Sequence, residues 1–237
     1  MITAHKKIVY HLKNWLFKEF AIPPVINENI SKAYLKKILP DNPVIVDCGS
    51  HNGSDSVQLA KLFKKATIHS FEPVPSLLEM LLNNSKPYNS INCYPLALAD
   101  KSGYMDLYIS EGASNASSSL LEPLQHLQDH PDTFFRQKIM VKTNSIDDWA
   151  AENNIKKVDM LWLDMQGFEL KMLGASKIIL DSVSVIHTEV STKETFKGVA
   201  QYKEYRSFLE SKGFELLLEA IPKGWDMGNA LFLRKKI

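Results

Sequence analysis

The segment VIVDCGSHNGSDS at residues 44–56 constrains the fold of this chain more than any other part of it. An apolar run leads into Asp47, and two glycines, Gly49 and Gly53, precede a stretch with helical character. Glycine permits a tight turn and lets a ligand approach the backbone closely, and the first turn of a helix offers free N–H donors. The segment therefore predicts a buried strand, a ligand-binding loop and a helix.

Strand and helix patterns alternate from this loop onward. Apolar runs typical of strands lie at 44–48, 67–71, 91–98, 158–165, 183–190, 214–221 and 229–236, with helical patterns at 55–65, 76–84, 168–176 and 201–212. Such alternation is typical of a parallel sheet covered by helices. The last two runs are separated by seven residues, too few for a helical crossover, so we expect an antiparallel hairpin. The predicted fold is α/β, with a seven-stranded, mostly parallel sheet that ends in this hairpin.

Residues 1–40 precede the alternating pattern, and we interpret them as an N-terminal helical extension. The extension is broken at Pro23-Pro24 and closed by Pro40, since proline ends a helix. Residues 5–20 are basic and amphipathic. Two roles stay open for them: a helix packed on the domain or on a partner, and a helix that lies on a membrane surface. Residues 41–237 are predicted to form the ligand-binding domain.

Composition excludes several classes of protein. The 28 basic and 27 acidic side chains leave a formal charge of +1, which argues against a nucleic-acid partner. No apolar run reaches the roughly 20 residues that cross a bilayer, and the N-terminus lacks the layout of a signal peptide. Cys48 and Cys93 form no CxxC pair, so we expect free thiols and a cytoplasmic location. Nothing in the composition indicates the oligomeric state.

An acidic residue, Glu72, ends the second predicted strand, 23 residues after Gly49. A carboxylate at about this spacing can accept hydrogen bonds from the ribose hydroxyls of a nucleoside. The loop spacing GxxxG differs from the GxGxxG of dinucleotide-binding folds, which disfavours a nicotinamide oxidoreductase. Asp100 ends the third predicted strand, where it either accepts a hydrogen bond from an adenine amino group or serves as a turn residue.

Further polar residues follow the fourth and fifth predicted strands. Asp164 ends the fourth, while His187 and Glu189 alternate with apolar positions and so point to one side of the fifth. We expect Asp164 to act as a base or to orient an acceptor. His187 is either a second base or a buried, hydrogen-bonded histidine. Glu169 is either catalytic or an acid that favours the N-terminus of a helix.

Taken in order, these segments resemble the FkbM family of methyltransferases. The resemblance rests on VIVDCGSHNGSDS, IHSFEP, LALADKSG, SNASSSL, VDMLWLDMQGFELKMLGA and VIHTEV, and it covers roughly residues 43–235. It implies a class I, Rossmann-like methyltransferase fold and S-adenosylmethionine as the methyl donor. It also implies O-methylation of a sugar or of a polyketide-type natural product.

The resemblance places Asp47, Gly49, Gly53 and Glu72 in the cofactor site, and Asp164, Glu169 and Glu189 on the acceptor side. The full predicted cofactor-binding set is Asp47, Gly49, Ser50, His51, Asn52, Gly53, Glu72, Pro73 and Asp100. The predicted catalytic set is Asp164, His187 and Glu189. These three could also bind a divalent cation, but their spacing does not require one, and we predict no metal.

Two positions depart from the family pattern K-x-D-x-E-G-x-E. Trp162 stands at the lysine position and Gln166 at the first glutamate position. The absence of one cation and one anion suggests that both members of a local ion pair were replaced together. If the missing glutamate were the base, activity would be impaired, whereas Asp164 is still present.

The leading hypothesis is therefore an O-methyltransferase that acts on a hydroxyl of a glycan or other small-molecule acceptor, with Trp225 as a candidate stacking surface. One alternative is an N-methyltransferase, which is disfavoured because DMQG follows the fourth strand in place of an N/D-P-P-Y/F motif. The other is a non-catalytic protein that binds S-adenosylmethionine, which only Gln166 supports. We expect no nucleic-acid partner, and peripheral membrane contact stays open.

Overall fold

The structure, a computed structural model, describes residues 24–26 and 29–235. Its strands are β1 (Val25–Ile26), β2 (Asn29–Ile30), β3 (Val44–Cys48), β4 (Thr67–Phe71), β5 (Ile91–Tyr94), β6 (Ala97–Ala99), β7 (Gly103–Gly112), β8 (Thr133–Ser145), β9 (Met160–Leu163), β10 (Val185–Ser191), β11 (Phe214–Ala220) and β12 (Met227–Arg234). A 3-10 helix spans Lys32–Lys37. The α-helices are α1 (Ser54–Leu62), α2 (Pro75–Ser85), α3 (His126–Asp129), α4 (Ile146–Glu152), α5 (Glu169–Ala175), α6 (Ile179–Ser182) and α7 (Tyr202–Ser211).

The main layer is a seven-stranded sheet with the strand order β11-β12-β10-β9-β3-β4-β5. Strand β3 pairs parallel with β4 and β9, and β10 pairs parallel with β9. Strand β12 runs antiparallel to both β10 and β11. The predicted seven-stranded, mostly parallel sheet with an antiparallel C-terminal hairpin strand is therefore confirmed.

The central strands are buried on both faces, so their apolar side chains divide between two cores. Val46, Leu161 and Ile186 contribute to the core that contains Trp149, while Ile45 contributes to the core that contains Leu35. This division follows from the strand geometry, because successive side chains point to opposite faces. Parallel strands covered on both sides are accordingly rich in continuous apolar residues.

A second, three-stranded sheet has the order β6-β8-β7. The prediction of one strand over 91–98 is wrong: β5 belongs to the main sheet, and β6 pairs with β8 in the small sheet. Pro95 lies between the two strands, and proline has no N–H to continue a hydrogen-bonded ladder. Strands β7 and β8 of the small sheet form an antiparallel pair.

The predicted N-terminal helix falls largely outside the described residues. Where the structure describes that region, β1 and β2 form a short antiparallel ladder, so the prediction of helix is wrong at these positions. The 3-10 helix that follows contributes buried Tyr34 and Leu35 to the same core as Ile45. Within residues 24–26 and 29–235, no helix combines the length and apolar character that a membrane span requires.

Candidate active site

The loop after β3 is held tightly against the neighbouring strand ends. Gly49 and Ser50 donate their backbone N–H groups to the Phe71 carbonyl at 3.2 and 2.9 Å. Gly49 has φ +80°, and a Cβ there would lie 1.9 Å from the Asp164 carbonyl oxygen. The predicted need for glycine is explained at this position by a left-handed backbone and by the close approach of β9.

The Glu72 carboxylate, at the end of β4, is fixed by two backbone donors. Its Oε2 accepts from His51 N at 2.9 Å, and its Oε1 accepts from Val74 N at 2.8 Å. Burial raises the pKa of Glu72 to about 7, against the hydrogen bonds from Val74 and His51, which lower it. A carboxylate has more lone pairs than these two bonds use, so both oxygens can still accept from a ligand's hydroxyl groups.

Glu72 lines a cavity at the carboxyl ends of β3, β4 and β9. One part of its wall is apolar and includes Phe71, Leu98 and Leu107, while Asp164 and Gln166 line another part. A flat aromatic base with an attached ribose has this combination of an apolar body and a hydroxylated edge. The cavity therefore suits a nucleoside.

The structure divides the predicted cofactor-binding residues into two groups. Gly49, His51, Glu72 and Pro73 line the cavity. The others in the loop lie outside its lining and support its shape: Asp47 accepts from the Ser56 hydroxyl, Ser50 receives the Phe71 N–H at 3.0 Å, Asn52 accepts from Ser54 N at 3.1 Å, and Gly53 begins α1 with φ +81°. Burial raises the pKa of Asp47 to about 7.

Asp100 is not brought to the cavity. It is exposed and follows β6 in the small sheet rather than a strand of the main sheet. The prediction of an adenine contact assumed that 91–98 was one strand ending at the crevice, and the break at Pro95 removes that basis. The adjacent Ala97 and Leu98 line the cavity instead.

Asp164, Gln166 and Glu189 form a hydrogen-bonded cluster at the edge of this cavity. Gln166 Nε2 donates to Asp164 Oδ1 at 2.8 Å and to Glu189 Oε2 at 3.0 Å. Burial raises the pKa of Asp164 and, together with the negative charges of Asp164 and Glu169, raises that of Glu189. The Gln166 amide thus holds two carboxyl groups side by side, and both have pKa values above the usual range of a carboxyl group.

Gln166 itself adopts an uncommon backbone conformation, with φ +51°. Its carbonyl accepts from the Ser119 hydroxyl at 2.7 Å, and Glu169 Oε1 accepts from the N–H groups of Met165 and Gly167 at 2.8 and 3.3 Å. Glu169 therefore stabilises the turn that presents Gln166. This geometry favours the structural alternative for Glu169 over a catalytic one.

His187 lies on the same side of β10 as Glu189, as its spacing predicts, but its surroundings are those of a neutral imidazole. Its ring stacks on Trp162 with 3.7 Å between centroids and 4° between planes. Burial, with a smaller effect from the Lys32 charge, lowers the pKa of His187 to about 3. An imidazole this weakly basic is a poor proton acceptor at neutral pH but a good hydrogen-bond partner.

Two further cavities open beside the cluster. The larger includes His126 and Trp225 in its lining, and the smaller includes Lys32 and His187. Both cavities share Asn29, Asp164, Glu189 and Asn229, so they form one continuous cleft, which we call the acceptor cleft. No motif or spacing in the sequence marks Asn29, Lys32 or His126 as site residues.

Among the residues that the structure describes, no group of three or more His, Cys, Asp or Glu side chains could hold a metal ion. The Gln166 amide occupies the space between the two carboxylates that a cation would otherwise bridge.

The parallel sheet with its antiparallel β12, the nucleoside cavity at the carboxyl edge and the fixed Glu72 define a class I methyltransferase with a Rossmann-like fold. The chain belongs to the FkbM methyltransferase family, since residues 47–216 match the family described as "Methyltransferase FkbM domain". The resemblance noted from the sequence is thereby confirmed, and the protein is a methyltransferase.

Among similar proteins is the "2-O-methyltransferase NoeI" of Sinorhizobium fredii, which is 28% identical over 93% of this chain and 91% of its own length. "Methyltransferase 1" of Beauveria bassiana is 24% identical over 80% and 79% of the two chains. Among solved structures, a fibrillarin/Nop5p complex superposes with a TM-score of 0.52 at 14% identity, covering 86% of this chain and 79% of that one. At this identity the last likeness shows the fold alone.

The methyl donor of this family, S-adenosylmethionine, fits the residues that line the cavity beside Glu72. Glu72 would hold the ribose hydroxyls, and Phe71, Leu98 and Leu107 would border the base. The fit rests on a buried carboxylate whose two hydrogen bonds come from the backbone and leave lone pairs free. S-adenosylmethionine is therefore the cofactor of this protein.

Proposed function

We propose that the protein is an O-methyltransferase that methylates a hydroxyl group of a sugar or natural-product acceptor. The observation that carries this proposal is the pair Asp164–Glu189, bridged by Gln166. Asp164 and Gln166 line both the donor cavity and the acceptor cleft. A hydroxyl bound in the cleft would reach a carboxylate and the donor from the same point.

In this proposal Asp164 removes the proton of the acceptor hydroxyl. When bound, S-adenosylmethionine would supply an electrophilic methyl group to the acceptor oxygen, and its methyl–sulfur bond would break to release S-adenosylhomocysteine. Burial raises the pKa of Asp164 above the usual range of an aspartate, which makes it a stronger base at neutral pH. Glu189 shares the Gln166 amide and can receive or stabilise that proton.

Gln166 takes the role of a positioning residue. Its amide donates one hydrogen to each carboxylate and adds no charge of its own. A glutamate at this position would place a third carboxyl group in the cluster, which would require a nearby cation. Trp162 provides no positive charge, so the neutral Gln166 side chain avoids a third carboxyl group without a cation.

The similarity to a 2-O-methyltransferase over nearly the whole chain supports transfer to oxygen rather than to nitrogen. His187, with its lowered pKa, is proposed to bind the acceptor rather than to act as the base. The remaining predicted catalytic residues, Asp164 and Glu189, are proposed to act as described. We propose that the methyltransferase domain, predicted as residues 41–237, also includes the segment from Asn29 that carries the 3-10 helix. We also propose a cytoplasmic location, which the free thiols Cys48 and Cys93 support.

The donor site is tested first by calorimetric titration with S-adenosylmethionine, S-adenosylhomocysteine and NAD. We expect micromolar binding of the first two ligands and none of NAD. The variant Glu72→Ala should bind S-adenosylmethionine at least tenfold more weakly. It lacks the buried carboxylate that would accept hydrogen bonds from the ribose hydroxyls. Glu79→Ala, an exposed glutamate on α2 outside the cavity lining, is the matched control and should bind like the unaltered protein.

The transfer step is tested with labelled S-adenosylmethionine and a panel of hydroxylated acceptors, with the product examined for a methyl ether. Asp164→Asn should keep donor binding and lose about 10²–10⁴-fold in turnover, the usual contribution of a general base. A methylamine product would indicate N-methylation instead. Donor binding without transfer to any hydroxylated acceptor would contradict the proposal and favour a non-catalytic protein.

A further inference from the structure

Two buried histidines line the acceptor cleft. His187 and His126 are 5% and 3% exposed, and the Nδ1 atom of each has no hydrogen-bond partner among the described residues. Buried polar side-chain atoms are nearly always hydrogen-bonded, so such exceptions require an explanation. Each histidine lines a different part of the cleft, His187 the smaller cavity and His126 the larger.

Both imidazoles are suited to hydroxyl groups rather than to anions. Burial lowers the pKa of each, with a further effect of Lys32 on His187 and of His130 on His126. A neutral imidazole offers one donor and one acceptor nitrogen, which is the complement of an alcohol.

The charge of the cleft also disfavours an anionic ligand. Its lining contains five carboxyl residues, Asp55, Asp129, Asp164, Glu189 and Asp226, and one lysine, Lys32. Lys32 is paired with Asp55 at 2.6 Å and lies 4.7 Å from the centroid of the Trp162 ring. A phosphate, sulfate or acidic sugar would therefore meet a surface without net positive charge.

An exposed aromatic side chain stands at the outer part of the cleft. Trp225, in the loop between β11 and β12, is 66% exposed and lines the larger cavity together with His126. Tryptophan combines a flat apolar ring with an N–H donor. An indole face flanked by hydrogen-bonding groups suits a pyranose ring, which is apolar on its faces and hydroxylated around its edge.

We infer that the acceptor cleft is a two-subsite oligosaccharide site. The inner subsite holds the reacting ring at Asp164 and Glu189 beside His187, and the outer subsite holds a neighbouring ring on Trp225 beside His126. The inference rests on the proposed O-methyl transfer and narrows its acceptor to a neutral saccharide of at least two rings. The cleft extends on both sides of Asp164 and Glu189, so it has room beyond a single ring.

The test is binding of the full chain, saturated with S-adenosylhomocysteine, to an array of neutral oligosaccharides, their monosaccharide methyl glycosides, and sialylated and phosphorylated counterparts. We expect binding to neutral oligosaccharides above binding to the other two groups. Trp225→Ala should weaken oligosaccharide binding roughly tenfold and leave monosaccharide binding within twofold. His126→Ala should act in the same direction.

Tyr104→Ala is the matched control, because Tyr104 is 69% exposed on β7 and outside the cleft lining. It should bind every probe like the unaltered protein. Preference for acidic saccharides, equal effects of Trp225→Ala and Tyr104→Ala, or no binding to any saccharide would overturn the inference.

Failure of this inference is distinguishable from failure of the proposed function. Methyl-ether formation that is insensitive to Trp225→Ala for acceptors of every length would overturn the two-subsite inference and retain O-methyl transfer. Trp225-dependent saccharide binding without methyl transfer would support the subsites and contradict the proposed reaction.

Discussion

At the scale of single residues, the turn after β9 shows how a departure from a family pattern is accommodated. Glu169 holds the turn through the backbone N–H groups of Met165 and Gly167, and Gln166 thereby reaches both Asp164 and Glu189. Substituting an amide for the family's glutamate removes one negative charge from a site where burial already raises the pKa of three carboxyl groups. The stability of the turn therefore depends on the protonation state of Glu169.

We predict that Glu169→Gln reduces the loss of stability between pH 5 and pH 8. Burial raises the pKa of Glu169 from 4.5 to about 7, so the folded state binds this proton more tightly than the unfolded state. The resulting stabilisation, on the order of 3 kcal/mol, is full below pH 4.5 and is lost as the pH rises through 7. Glutamine keeps the accepting oxygen and has no proton to lose.

Urea denaturation of both proteins at pH 5 and pH 8 measures this effect. The unaltered protein should lose more free energy of unfolding between the two values than the variant does. Asp47 and Glu72, whose pKa values are also raised to about 7, contribute equally to both proteins. Identical losses would show that Glu169 is not protonated in the folded state.

At the scale of elements, the site depends on the contact between the β3–α1 loop and the end of β9. The loop passes so close to Asp164 that only a residue without a side chain fits at Gly49. The same contact brings the donor loop next to the Asp164–Gln166–Glu189 cluster. Gly49 thus allows the ends of β3 and β9 to pack closely, and this packing places the donor loop beside the Asp164–Gln166–Glu189 cluster.

We predict that Gly49→Ala destabilises the protein by about 2–4 kcal/mol, because a Cβ would clash with the Asp164 carbonyl in a left-handed backbone conformation. Donor binding should weaken as the loop moves away from β9.

Gly174→Ala is the control: Gly174 lies in α5, where an added Cβ meets no described atom within 4 Å. It should be neutral or stabilising by up to about 1 kcal/mol. Chemical denaturation and calorimetric titration check both variants, and equal behaviour of the two would contradict this account.

At the scale of the whole molecule, the segment that precedes β3 belongs to the core of the domain. Ile30, Tyr34, Leu35 and Leu39 are buried in one cluster with Ile45 and Leu59. Asn29 and Lys32 from the same segment line the acceptor cleft. The segment therefore supports both the packing of one face of the sheet and the wall of the cleft.

We predict that Leu35→Ala costs about 2–5 kcal/mol of stability, as expected for a fully buried leucine. The neighbouring exposed Lys36→Ala should change stability by less than about 0.5 kcal/mol. Urea denaturation of both variants measures the difference. A mild effect of Leu35→Ala, comparable to that of Lys36→Ala, would show that the segment is peripheral and would restore a domain boundary near residue 40.

The sequence by itself determined the features that depend on local pattern. Apolar runs alternating with helical periodicity predicted the main sheet and its hairpin, because burial on both faces of a parallel strand leaves a continuous apolar signal. Glu72, Asp164 and Glu189 were predicted because each residue follows or ends such a run. The order of the motifs was sufficient to identify the family.

Only the tertiary structure decided which of these residues meet. Asp100 follows β6 of the small sheet, Asp47 accepts a hydrogen bond from Ser56, and His187 stacks on Trp162. The acceptor cleft joins Asn29, His126, Trp225 and Asn229, which are distant in sequence and share no motif. Contacts of this kind depend on how loops close across the edge of the sheet, and no local periodicity records that closure.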